Sequence, residues 1–393
     1  MRVLMLVPQL FYSARGTPLS AYHRTRDLIA LGHEVEILTY GIGDPPPEAD
    51  LVVHRARGPH FARSVKQGPS HLKIWFDVLL AIELLRLLRR ESFDVLWGHE
   101  EGGLLGVLAG RWFRIPAVYD MHSSLPLQIR DWGFSSSERV VSLFRAVERV
   151  TLRGAAASIS IAPALTRAAH DVCPEARVAT VLNRFEVEDP GDDDARGRVR
   201  RELEIGPDER LVLYTGSFVA LQALDLLLEA VPLVLREAPE ARFVLVGGRP
   251  EEVAALSERA AALGVAKAVR ILAHRPQSEM PAFLAASDVL VSPRVQGINP
   301  PGKLFTYLQA GKPIVATARP IHDQILDERC AVLTRPCAAG IAEGIVGVLR
   351  DPVRAQRVVL GARELLRTEY HPDRRREGYE QVLRWVEEAR ARR

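Results

Sequence analysis

Val289-Leu290-Val291-Ser292-Pro293-Arg294-Val295-Gln296-Gly297-Ile298-Asn299-Pro300-Pro301-Gly302-Lys303-Leu304-Phe305-Thr306-Tyr307-Leu308-Gln309-Ala310-Gly311-Lys312-Pro313-Ile314-Val315-Ala316 reads as strand, loop, helix, turn and strand. Its two ends are short apolar runs of the kind buried on both faces of a parallel sheet, and the middle carries the helix that crosses between them. Asn299 has the chemistry of an N-cap and Pro300 suits the first helical position, so a helix is expected to start there with free N–H groups and its positive dipole end outward. Arg294 and Lys303 add two positive charges, and Gly297 and Gly302 let backbone approach a ligand closely. A diphosphate would be neutralised there by amides and side chains without a metal. The alternative is an ordinary helix with exposed cations.

The same alternation extends in both directions. Apolar runs at 3–7, 35–38, 95–97, 117–119, 157–161 and 178–182 are separated by stretches at helical spacing, including 20–31 and 71–89. At 186–194 acidic and turn-forming residues displace apolar ones, which marks a linker. The rhythm then restarts with strands at 211–214, 242–246, 269–272, 289–292 and 314–316 and helices at 224–236 and 251–263. Leu224, Leu228, Val231 and Leu235 form the stripe by which the first of these helices packs on its sheet, and Pro232 is expected to bend it. Two doubly wound α/β domains follow, one over 1–185 and one over 195–370. The charged closing helix, 374–393, would pack back on the first through Tyr379, Val382, Leu383 and Val386.

Composition narrows the function classes. With 393 residues, 47% hydrophobic, there is ample chain for two packed cores. Lys and Arg exceed Asp and Glu by three, too few to argue for nucleic acid as a partner. Cys173, Cys330 and Cys337 form neither a disulfide framework nor a zinc-ligand spacing, which fits a reducing compartment such as the cytoplasm. The opening apolar run is too short for a signal peptide, and 74–88 is interrupted by Asp77, Glu83 and Arg86, so no span of a bilayer is expected. The basic residues Arg63, Lys66, Lys73, Arg86, Arg89 and Arg90 before and along that Leu-rich helix leave two readings, contact with anionic lipid or a solvated face.

Ligands of doubly wound sheets sit beyond the carboxyl ends of the strands. Three further segments lie there. Gly16 and Thr17 close the loop after the first strand, as a ligand loop or as an ordinary βα loop. His122 follows the apolar run at 117–119, where its ring is expected to face a cleft, either as a site residue or as a loop histidine bonded for structure. Gly216 and Ser217 follow the first strand of the second half, again as a close approach to ligand or a plain turn.

Together these segments resemble the family-4 glycosyltransferases, which have the GT-B fold of two facing Rossmann-like domains with an interdomain cleft. The likeness covers nearly the whole chain. Gly16-Thr17-Pro18-Leu19 with Leu31-Gly32-His33-Glu34-Val35 is similar to the family's opening loop and second-strand entry. Val118-Tyr119-Asp120-Met121-His122 is similar to its first-domain histidine motif, and Ala286-Ser287-Asp288-Val289 running on to Gly311-Lys312-Pro313-Ile314-Val315 to its donor segment. There are departures. The family's two donor-loop glutamates fall on Ile298 and Thr306, with Gln296 the nearest polar residue, and the diphosphate-holding Arg and Lys fall on Ser217 and Gln222. Lys303 and Arg294 are placed to compensate. Asp192-Asp193-Asp194 looks like the acidic triplet of metal-dependent sugar transferases but lies in the linker, so it is read as solvated.

The resemblance implies a retaining transferase without metal or other cofactor, in which the leaving phosphate takes the acceptor proton. Lys303, Arg294 and the amides around Gly16 would stabilise the departing diphosphate, and His122 would hydrogen-bond the transferring sugar. The donor would be a UDP- or GDP-linked sugar, and the acceptor a glycan, a lipid-linked molecule or a small molecule. Location would be cytoplasmic, with peripheral contact at the inner face of the membrane. The alternatives are a catalytically silent GT-B binding protein or partner subunit, and a non-glycosylating enzyme such as a sugar-nucleotide epimerase.

Overall fold

The computed structural model describes residues 1–12, 16–46, 50–58, 71–131, 137–182, 193–297 and 300–392. It divides into two compact units, Met1–Arg184 with Pro372–Arg393, and Phe185–His371. Residues 186–192 of the expected linker lie outside the described residues, as do Arg63 and Lys66. Residues 193 and 194 open the helix Asp193–Glu202 instead of extending a linker.

In the first unit, β1 (Arg2–Val7), β2 (Glu34–Thr39), β3 (Val53–Arg55), β4 (Val95–His99), β5 (Ala117–Met121), β6 (Ala157–Ser160) and β7 (Val178–Thr180) form one sheet in the order β3-β2-β1-β4-β5-β6-β7. Every pairing is parallel. Val3 to Val7 and all of β4 and β5 are buried, because helices cover both faces. On one face lie the helices Gly16–Ala30 and Pro372–Ala391, on the other His71–Leu88 and Gly102–Phe113. The terminal helix brings Tyr379, Val382, Leu383 and Val386 into the same core as Val3, Met5 and Trp97. Burying those four side chains stabilises its return by roughly 6–10 kcal/mol as an upper bound.

The second unit repeats the plan with β8 (Arg210–Thr215), β9 (Ala241–Gly248), β10 (Val269–Ala273), β11 (Val289–Ser292), β12 (Ile314–Thr317) and β13 (Val332–Thr334), in the order β10-β9-β8-β11-β12-β13. It too is wholly parallel. Strand order reverses direction between β1 and β4 in the first sheet and between β8 and β11 in the second. These are the crevices where doubly wound sheets take ligands.

The helix Leu224–Glu237 is continuous through Pro232; Val234 is buried on its stripe, and Leu235 packs, partly buried, against the same core. One local expectation is corrected. The helix after β11 starts at Lys303, not at Pro300, with Gly302 at its boundary. Pro300 precedes another proline, which pushes it out of helical geometry, and only at Leu304 does an N–H reach back, to Pro301 O at 3.0 Å. Ile298 and Asn299 lie outside the described residues, and with them the expected cap. Among the described residues no helix is long and apolar enough to cross a membrane.

Candidate functional site

The crevice between β8 and β11 gathers most of the expected donor-side residues. Tyr214, fully buried at the end of β8, donates its hydroxyl to Ser217 O at 2.8 Å and so fixes the turn around Gly216. The Nζ of Lys303 lies 3.7 Å from the centroid of the Tyr214 ring and donates to Gln222 Oε1 at 3.1 Å. Gly216 has φ of 131°, a conformation that side chains rarely adopt, and a Cβ there would also crowd the Tyr214 hydroxyl at 3.3 Å, so the turn requires glycine. Burial, with Arg294 close by, pushes the Lys303 ammonium well below its ordinary pKa. Among the described residues no carboxylate forms an ion pair with Lys303.

Arg294 leaves the end of β11 and folds back, its Nε donating to Gln296 O at 2.9 Å. Gly297, at φ of 93°, makes that possible, since a Cβ there would meet the guanidinium at 2.5 Å. The Arg294 carbonyl accepts from the Thr317 hydroxyl. Thr317 and Ser292 are tied together by a residue the sequence did not reveal, His322. Its Nδ1 lies 2.8 Å from Thr317 O and its Nε2 2.9 Å from Ser292 Oγ. The carbonyl requires a proton on Nδ1, so Nε2 accepts from Ser292. Burial, and the nearby charges of Lys303 and Arg294, lower its pKa to about 4. Thr306, expected to touch the donor, donates its hydroxyl to Lys303 O at 2.8 Å within its own helix. Gln296 and Ser217 are exposed.

The burial of His322 has a measurable pH signature. An unfolded chain holds that proton up to about pH 6.5, whereas the folded chain releases it near 4, so the unfolded state binds more protons in between. Stability from this residue is therefore complete above pH 6.5 and lost as pH falls toward 4. In urea titrations, the stability of the wild type relative to His322→Gln is expected to be larger at pH 7 than at pH 4.5 by roughly 2–3 kcal/mol. Parallel pH profiles for the two proteins would contradict the buried neutral ring.

In the first unit, His122 follows β5 directly, and its ring is buried rather than open as expected from the sequence. It packs on His99 from the end of β4 with centroids 4.0 Å apart, and its Nε2 lies 3.2 Å from Asp120 Oδ1. The other oxygen, Asp120 Oδ2, receives Arg24 Nε at 2.9 Å and Trp97 Nε1 at 3.3 Å. Arg24 also donates to Tyr379 OH and Val181 O, both at 3.1 Å. Arg24 holds the Asp120 carboxyl well below the usual range against the opposing cost of burial. Burial, reinforced by His99, lowers the His122 pKa to about 3, so the imidazole is neutral near pH 7. Gly16 and Thr17 open the helix Gly16–Ala30 that carries Arg24.

Two carboxyls escaped the sequence reading. Glu100 sits just past β4 with φ of 51°, an uncommon conformation for glutamate, and Ser123 Oγ donates to its two oxygens at 3.2 and 3.0 Å. Burial, with Glu101 adjacent, raises its pKa well above the usual range. Glu148 accepts from Leu125 N at 2.6 Å and from Ser124, and burial lifts it to about 7. The sign available for Glu100 was the one used for His122, a polar residue just past an apolar strand.

Two all-parallel Rossmann-like units are the plan of the GT-B fold. Residues 16–184 match the glycosyl transferase 4-like domain and residues 209–351 match glycosyl transferases group 1. The chain belongs to this family of group 1, family-4 glycosyltransferases. It is 28% identical over 293 residues, 68% of this chain and 66% of the relative, to a D-inositol 3-phosphate glycosyltransferase of Thermobispora bispora. It is 31% identical over 172 residues, 42% of this chain and 44% of the relative, to a GDP-mannose-dependent alpha-(1-6)-phosphatidylinositol monomannoside mannosyltransferase of Mycolicibacterium smegmatis. The match to the first of these spans about two thirds of that relative's length. Among solved structures, sucrose-phosphate synthase from Thermosynechococcus elongatus superposes with a TM-score of 0.78 at 16% identity, covering 99% of each chain.

Proposed function

We propose that the chain is a retaining, metal-independent transferase that moves a sugar from a UDP- or GDP-linked donor to a glycan, lipid-linked or small-molecule acceptor. The observation that carries this reading is Lys303, a cation pressed against the Tyr214 ring beside Arg294 and without a carboxylate ion pair among the described residues. A diphosphate restores what burial takes from that ammonium. Lys303 donates to Gln222, so the missing cation of the family's second-domain pair is supplied from another position.

In this mechanism the bond between the anomeric carbon and the donor phosphate breaks as the acceptor oxygen bonds that carbon from the same face. The acceptor proton passes to the departing phosphate oxygen. Lys303 and Arg294 stabilise the charge that develops there, and donors fixed in advance are worth most because they need no reorganisation. His122, neutral and held by Asp120, is buried, so in this reading it supports the network at the end of β5 rather than touching the transferring sugar. His99, Asp120 and His122 present ligand atoms within 4.8 Å of one another, but Arg24 already balances the Asp120 charge, so the trio is read as a hydrogen-bonding network without a metal. The reading includes a cytoplasmic location with peripheral contact at the inner membrane face.

One observation favours a silent binding protein instead: Thr306, where the family has a carboxylate, spends its hydroxyl on the helix backbone. Chromatographic separation with mass analysis of products after incubation with nucleotide sugars and candidate acceptors decides between them. A sugar-bearing acceptor supports transfer. An isomerised donor, or an intact one throughout, overturns it.

A further inference from the structure

The helices His71–Leu88, Gly102–Phe113 and Glu138–Gly154 lie side by side over one face of the first sheet. The first two share a core in which Phe76, Leu80 and Leu84 meet Val107, and a Cβ at Gly154 of the third would touch Val107 at 2.4 Å. Their outward surfaces are unlike the rest of the protein. On the first helix Ile74, Trp75, Val78, Ile82 and Leu85 form an exposed stripe opposite the buried one, with Trp75 at 67% exposure. On the second, Leu108 and Trp112 are exposed, the latter at 81%, and on the third Leu143 and Val150. Nine of the fourteen large apolar side chains exposed among the described residues thus lie on three neighbouring helices. Scattered apolar residues are ordinary on a surface, whereas their concentration on neighbouring helices marks a binding face.

Charge identifies what it binds. Within their bounds the three helices hold seven Lys and Arg against four Asp and Glu, and Arg89, Arg90 and Arg114 follow directly on two of their ends, with Glu91 next to Arg90. Arg89, Arg90, Arg111, Arg139 and Arg145 are exposed around the apolar stripe. A second copy of the chain would bring like charges together across the apolar contact. An anionic bilayer offers opposite charge and an apolar layer at the depth that tryptophan prefers.

We propose that this three-helix face docks the chain on an anionic lipid bilayer, with Trp75 and Trp112 seated at the headgroup boundary and the surrounding arginines against lipid phosphates. The docking face deepens the membrane contact included in the proposed function and rests on that part of it, and it can fail or hold whichever sugar is transferred. Co-sedimentation of the full chain with vesicles of phosphatidylcholine, alone or mixed with phosphatidylglycerol, tests it. Binding is expected only to the mixed vesicles, falling in high salt. A Trp75→Ser/Trp112→Ser variant is expected to bind at least tenfold more weakly with an unchanged melting temperature and nucleotide affinity, and Arg89→Glu/Arg90→Glu is expected to bind more weakly as well. Equal binding of wild type and the Trp variant, equal binding to both vesicle types, or a concentration-dependent dimer broken by the Trp substitutions without vesicle binding would overturn the proposal.

Discussion

Replacing Lys303 with alanine is expected to lower kcat by about 10²–10³-fold, the usual cost of removing one preorganised donor to a developing oxyanion. The substitution deletes the charge that Tyr214, Gly216 and Gln222 position at the switch between β8 and β11. Because the ammonium is already partly desolvated in the free protein, its gain on meeting a diphosphate grows as negative charge collects on the leaving oxygen. Donor affinity should therefore fall less than kcat does, and steady-state kinetics paired with nucleotide titration separates the two. Unchanged kcat in Lys303→Ala would remove the residue from the site.

The largest effect on stability is expected from Asp120→Ala. Its carboxylate is fully buried and receives Arg24 and Trp97 on one oxygen, while His122 lies beside the other. Without it the Arg24 guanidinium stays buried with, among the described residues, only the Tyr379 hydroxyl and the Val181 carbonyl as acceptors. Breaking a buried ion pair by removing one member costs about 3–5 kcal/mol, because the surviving charge is left uncompensated. Urea denaturation should show that loss, and removing both partners in Arg24→Met/Asp120→Ala should recover part of it. A loss below about 1 kcal/mol in the single variant would mean that water reaches the guanidinium.

The strands were legible because parallel sheets covered on both faces leave a mark that survives without context: residues 3–7 of β1, 95–97 of β4, 117–119 of β5, 211–214 of β8 and 289–291 of β11 are unbroken apolar runs. The terminal helix was legible for a related reason, since its four buried residues keep helical spacing inside a charged segment. What the sequence hid is long-range partnership. Arg24 and Asp120 are 96 residues apart, Ser292 and His322 are 30 apart, and nothing local to either end requires the other. Pro300 misled because proline suits a helix start in isolation, while the following proline forbids it there. His122 was singled out by its position past β5 and by the family resemblance, and neither could tell that its ring turns into a buried network with His99.

Calorimetric titration of UDP, GDP, ADP and their common sugar conjugates, in the presence of a chelator, tests the central claim that the β8–β11 crevice holds a nucleotide diphosphate without metal. The account predicts selective binding of one nucleotide with Kd on the order of micromolar, within the range of substrate affinities for such enzymes, and weaker binding to Lys303→Ala. No binding of any nucleotide, or binding only when a divalent ion is restored, would contradict it.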